Sequence, residues 1–171
     1  MTIPTWQTAQ HLLADFDGAA TEIFLIGLPI SQLPAVIAVL SALPALEVLA
    51  HAGETLATGS PFDRQWQARL ESIPSHACQH ALRSACGSAQ HLQIYLWLDP
   101  GEGWLELELV FWNDMTFPAG LCIDEYEQRL QALCAIVEQC RSGVPGTSCI
   151  LTAEHNGPTS ELEKHVHAVR W

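Results

Sequence analysis

Residues Leu92 to Leu109 constrain the fold more than any other stretch. Leu92, Ile94, Leu96 and Leu98 alternate with Gln93, Tyr95 and Trp97; Asp99-Pro100-Gly101-Glu102-Gly103 supplies turn chemistry; Leu105, Leu107 and Leu109 then alternate with Glu106 and Glu108. Successive strand side chains point to opposite faces. The stretch is therefore a β-hairpin with a leucine face in the core, and its other face presents Tyr95, Trp97, Glu106 and Glu108, with Trp104 at the margin. The cross-strand register is left open by the pattern.

A sheet that is apolar on one side needs a covering layer. The clearest candidate runs from Asp124 to Ser142, where Tyr126, Leu130, Leu133, Cys134, Val137 and Cys140 recur at helical spacing and Gly143 and Pro145 close the helix. Asp124 with Glu127 three residues later reads as a capping-box start. Upstream, Glu22 to Leu28 and Glu47 to His51 read as strands flanking a short helix from Gln32 to Leu43. Gly59-Ser60-Pro61 reads as a turn, Asp63 as the cap of a helix reaching Leu70, and Ser75 to Cys86 as a further helix stopped at Gly87. Downstream, Ser148 to Glu154 reads as a strand, Asn156-Gly157-Pro158 as a turn, and Lys164 to Arg170 as a closing strand. With no repeat, low-complexity tract or linker, residues 1–171 form a single α+β domain, a mostly antiparallel sheet with helices packed on it.

Charge narrows the function. The chain carries 19 acidic residues against 7 Lys and Arg, and Lys164 is its only lysine. No Lys or Arg lies between Arg83 and Arg129, an interval that holds Asp99, Glu102, Glu106, Glu108, Asp114, Asp124, Glu125 and Glu127. Such a field repels nucleic-acid phosphates and anionic membranes and attracts basic surfaces. The uncharged run from Ile23 to Leu46 is long enough to be tested as a membrane span, but Pro29, Pro34 and Pro44 divide it into core elements. The first 20 residues lack a basic start and an apolar h-region, so no signal peptide is expected. The six cysteines then read as reduced thiols in a cytoplasm.

Catalytic signatures are absent: there is no GxSxG, Walker-type loop, GxGxxG after a strand, HExxH or CxxC pair. His76, Cys78, His80, Cys86 and His91 form the densest group of metal-capable side chains. On a helix His76 and His80 share a face while Cys78 points elsewhere, so the reading is an amphipathic helix with buried cysteines and surface histidines. His165 and His167, alternating on the terminal strand, could join His155 only across a hairpin that the pattern does not place, and they read as surface residues. Glu106 and Glu108 sit on one strand face, whereas acid–base pairs come from separate elements across a cleft. Cys134 and Cys140 fall in a helical apolar stripe, which means packing and not an activated thiolate. No catalytic residue, metal or cofactor is expected.

The acidic hairpin from Leu92 to Trp112, the helix from Asp124 to Ser142 and the returning strand from Ser148 to Glu154 follow an order that resembles several bacterial toxin immunity families, including those acting against type VI secretion effectors. The resemblance covers about half the chain and rests on architecture and charge. It implies a cytoplasmic, non-enzymatic protein, monomer or homodimer, that neutralises a toxin with a basic surface, the expected toxin being a nuclease. The expected partner-binding residues are Trp97, Asp99, Glu102, Trp104, Glu106, Glu108, Asp114, Asp124 and Glu125. An acidic secretion chaperone or adaptor, and a metal-dependent enzyme built from converging histidines and cysteines, are the alternatives.

Overall fold

The computed structural model describes residues 2–14, 18–86, 89–154, 161 and 167–171. Its centre is an eight-stranded, wholly antiparallel sheet: β1 (Ala20–Pro29), β2 (Glu47–His51), β3 (Glu54–Pro61), β4 (Cys78–Cys86), β5 (Ala89–Asp99), β6 (Trp104–Trp112), β7 (Ser148–Ala153) and β8 (Val169–Arg170). They are ordered β3-β2-β4-β5-β6-β1-β7-β8. Among the described residues five α-helices flank the sheet: α1 (Trp6–Leu13), α2 (Leu33–Ser41), α3 (Arg64–Glu71), the single turn α4 (Asn113–Thr116) and α5 (Ile123–Arg141). The α+β class and antiparallel sheet expected from the pattern are both present.

The hairpin forms as its alternation dictates. Ile94 faces Leu109, Leu96 faces Leu107 and Leu98 faces Leu105, all fully buried. These leucines join Ile23 and Leu25 of β1, Val48 of β2, Leu82 of β4, and the apolar stripes of α1, α2 and α5 in one core. A second cluster, Phe24 and Ile150 with Ile26 and Ala168, contains no helical residue and lies on the opposite face of β1, β7 and the approach to β8. The described helices thus cover one side of the sheet. None is long and apolar enough to cross a membrane.

Non-local contacts tie α1 to this layer. The Trp6 ring stacks on Tyr126 of α5 at 4.3 Å, and the Trp6 amide donates to the Glu127 carboxylate. The carboxamide of Asn113 donates to the Leu12 carbonyl, fastening α4 beneath α1. In β1, Gly27 (φ 82°) forms a bulge between Leu25 and Leu28; a Cβ there would meet the Gly146 carbonyl at 3.1 Å.

Three local expectations are overturned. Ser75 to Cys86 is not a helix: Cys78–Cys86 is the interior strand β4, whose Cys78, His80, Leu82 and Ser84 point to the helical layer while Gln79, Ala81 and Arg83 point away. Its small residues tolerate either conformation, and the open edges of β2 and β5 supply the backbone partners that select the strand. Gly59-Ser60-Pro61 is not a turn but the end of β3. Gly59 serves close approach, since a Cβ there would lie 3.2 Å from both Glu47 and Leu49 side-chain atoms. The α5 cap is Cys122 with Glu125, which accepts from the Cys122 amide at 3.0 Å, and not Asp124 with Glu127. Both pairs have the same spacing, and Glu127 is instead engaged by Trp6 and Gln131. Asp63 does cap α3, accepting from the amides of Gln65 and Trp66 at 2.9 Å. The turn at Asn156-Gly157-Pro158 and most of the strand expected from Lys164 lie outside the described residues.

Candidate functional site

The β5–β6 pairing builds the centre of the face turned away from the helices. Register places Trp97 opposite Glu106, Tyr95 opposite Glu108, and Asp99 opposite Trp104. Residues directly opposite on one face lie within about 5.5 Å at Cβ, so three carboxylates and three aromatic rings share a small area. Trp97 is 41% exposed, and its indole Nε1 donates diagonally to Glu108 Oε2 at 3.2 Å. The Tyr95 hydroxyl donates to Gln93 Oε1 at 3.0 Å. Burial, together with the negative charges of Glu108 and Glu22, raises the Tyr95 pKa and keeps it a neutral phenol.

Non-local pairing extends this face beyond the residues expected. Strand β1 adds Glu22 and Phe24 beside Val110 and Glu108, and β7 adds Ile150 and Thr152 beyond them, but all four are buried, so the exposed part of the face stays with β5 and β6. Trp112, 40% exposed, closes the β6 row. Glu22 and Phe24 alternate correctly for a strand, but the apolar run that follows hides which side they face. Only the β1–β6 register assigns them to the face of Trp97.

The nine expected partner residues divide into three places. Trp97, Trp104, Glu106 and Glu108 share the sheet face. Asp99 and Glu102 belong to the hairpin turn, where Asp99 Oδ1 accepts the Glu102 amide at 3.0 Å. Asp114, in α4, lies past the other end of β6, roughly 25 Å along the strand from Trp104 at the ordinary rise. Asp124 and Glu125 are exposed in the first turn of α5, on the helical layer behind the sheet. The Cys122 amide holds the Glu125 carboxyl below its ordinary pKa; an acid at a helix N-terminus also answers the helix dipole. The acids contiguous in sequence are therefore not one surface.

The other candidate groups are also placed. His76 and His91 are exposed, whereas His80 is 2% exposed under the helical layer, contrary to the surface position expected of it. His80 lies beside Cys78, with Nε2 3.9 Å from Sγ, and its ring stacks on His51 at 4.8 Å. Among the described residues no three His, Cys, Asp or Glu side chains group to hold a metal ion. The Cys86 side chain, His155 and His165 fall outside the described residues. Cys134, Cys140 and Cys149 are buried in the core, and burial pushes each thiol up to about 12. A thiol so placed packs and does not attack. No protein-family profile, curated protein or solved structure matches this chain.

Proposed function

We propose that this chain is an immunity-type binding protein that captures a basic protein toxin on the sheet face carrying Tyr95, Trp97, Trp104, Glu106 and Glu108. The observation that carries the reading is the co-facial packing of exposed Trp97 with Glu106 and Glu108 on a side of the sheet that no described helix covers. Exposed aromatic anchors beside charge suit a partner surface. A rigid antiparallel sheet also presents them with little ordering cost on binding.

Net charge supports the basic partner. At −12, the chain would attract a cationic surface over several ångströms and speed encounter, while the aromatic anchors would slow dissociation. A nuclease-type toxin fits because its phosphate-binding cleft must be basic. Within this reading the protein acts in the cytoplasm by occlusion, without chemistry of its own. The turn acids Asp99 and Glu102 extend the contact. Asp114, Asp124 and Glu125 act through the long-range field only, because they lie away from the sheet face.

The test is coexpression with the product of the adjacent open reading frame, followed by pull-down and a growth assay. Rescue from toxicity that is lost when Trp97, Glu106 and Glu108 are replaced together supports the proposal. A non-toxic neighbour, or toxicity that persists beside the intact chain, removes it.

A further inference from the structure

The β2–β3 hairpin turns through Ala52 and Gly53, both at positive φ (52° and 82°), with His51 facing Glu54 across the turn. That is the two-residue arrangement whose twist suits a hairpin, and glycine or asparagine normally occupies its first central position. Alanine there is strained by its Cβ. Two hydrogen bonds hold the tip against β4: the Gly53 amide donates to the Gln79 carbonyl at 2.8 Å, and the Ala52 amide donates to His80 Nδ1 at 3.1 Å.

The second bond determines the chemical state of His80. A ring nitrogen that accepts from an amide carries no proton, so the neutral ring bears its hydrogen on Nε2, directed at the Cys78 sulfur 3.9 Å away. This also argues against a metal at Nε2, since a neutral imidazole that ligates through Nε2 keeps its proton on Nδ1. Protonation of Nδ1 would set two N–H groups against each other. It would also place a cation in a nearly closed site, 4.8 Å from the stacked His51 ring. His51 in turn meets the edge of Trp66, which α3 brings over the hairpin and whose indole donates to Ser60 of β3 at 2.9 Å.

We infer that His80 is a proton-sensitive latch: its neutral Nδ1 holds the β2–β3 tip on β4, and its protonation releases the tip and loosens the β3 end of the sheet. The groups around it favour the neutral state. His51 on β2 repels a second positive charge, Arg69 on α3 adds to that repulsion at His51, and Cys78 on β4 is a neutral thiol whose pKa burial raises. Glu54 on β3 opposes the trend at His51, where burial and Arg69 outweigh it, and the neighbouring α2 carries no ionisable side chain. Burial and His51 together depress His80 to about 4, so release belongs to acid conditions. Because Gln79 is the cross-strand neighbour of Trp97, release at the hairpin reaches the exposed face through a single strand. The inference does not depend on the identity of any partner.

The test uses the full chain and nuclear magnetic resonance. At neutral pH the His80 ring should show the Nε2–H tautomer; the Nδ1–H tautomer would overturn the latch. On lowering the pH toward about 4, amide exchange at Ala52 and Gly53, corrected for its intrinsic pH dependence, should accelerate at least about tenfold before that of Leu96 and Leu107 changes. Simultaneous loss of protection everywhere would mean global acid unfolding and would sink the proposal. In His80→Asn, whose side-chain oxygen can accept from Ala52 without titrating, the early acceleration should vanish. Its persistence would assign the transition to another group. Should that variant not fold, the tautomer and order of exchange in the unaltered chain decide the matter.

Discussion

The indole of Trp97 donates to the carboxylate of Glu108, two residues removed from Glu106, the position that faces Trp97 in register. The diagonal bond holds the ring across the hairpin while leaving 41% of Trp97 exposed. On the proposed function, Trp97→Ala should weaken partner binding by about 2 kcal/mol or more, roughly thirtyfold, as truncation of an aromatic anchor does. Titration calorimetry with the purified partner measures it, with thermal melting as the control for folding. Unchanged affinity would place the interface elsewhere.

Acid should destabilise the fold through His80. Its folded-state pKa, about 4, lies below the unfolded value of 6.5, so the unfolded chain binds the proton more readily. The corresponding stability is fully present above about pH 6.5, is lost as pH falls toward 4, and amounts to about 3 kcal/mol. Urea unfolding at a series of pH values should show that decline, and His80→Asn should flatten it.

Ala52→Gly should stabilise the chain. Relief of the Cβ strain at φ 52° outweighs the extra entropy of unfolded glycine, and the amide that reaches His80 is retained. A gain of about 0.5–1 kcal/mol is expected from chemical denaturation. A loss would show that the turn does not hold this geometry in solution.

Thiol labelling should divide the cysteines. Cys122 is exposed at the start of α5 and should react readily with a soluble disulfide reagent, whereas Cys134, Cys140 and Cys149 should remain protected until the protein unfolds. Peptide mapping after brief labelling distinguishes them. Early modification of any of the three would contradict their place in the core.

Removing the Asp63 carboxylate should cost stability locally. It accepts two amides at the start of α3, and Asp63→Ala should cost about 1 kcal/mol. Because α3 carries Trp66 over His51, the same change should raise the pH at which Ala52 exchange accelerates. Equal protection in both proteins would uncouple α3 from the latch.

Local pattern was sufficient wherever one periodicity had no competitor. Leucines at every second position dictated β5 and β6, and the helical stripe of Tyr126, Leu130, Leu133 and Val137 dictated α5. Tertiary structure decided the rest. Cys78–Cys86 became a strand because β2 and β5 offer it paired backbones on both sides, a contribution that a window of nine residues cannot reveal. It also separated Glu106 and Glu108 from Asp114, Asp124 and Glu125, which sequence proximity had joined, and brought Glu22 and Phe24 to Trp97's face. Side-chain alternation shows which residues of a strand share a side, but only the pairing of distant strands shows whose neighbours they become.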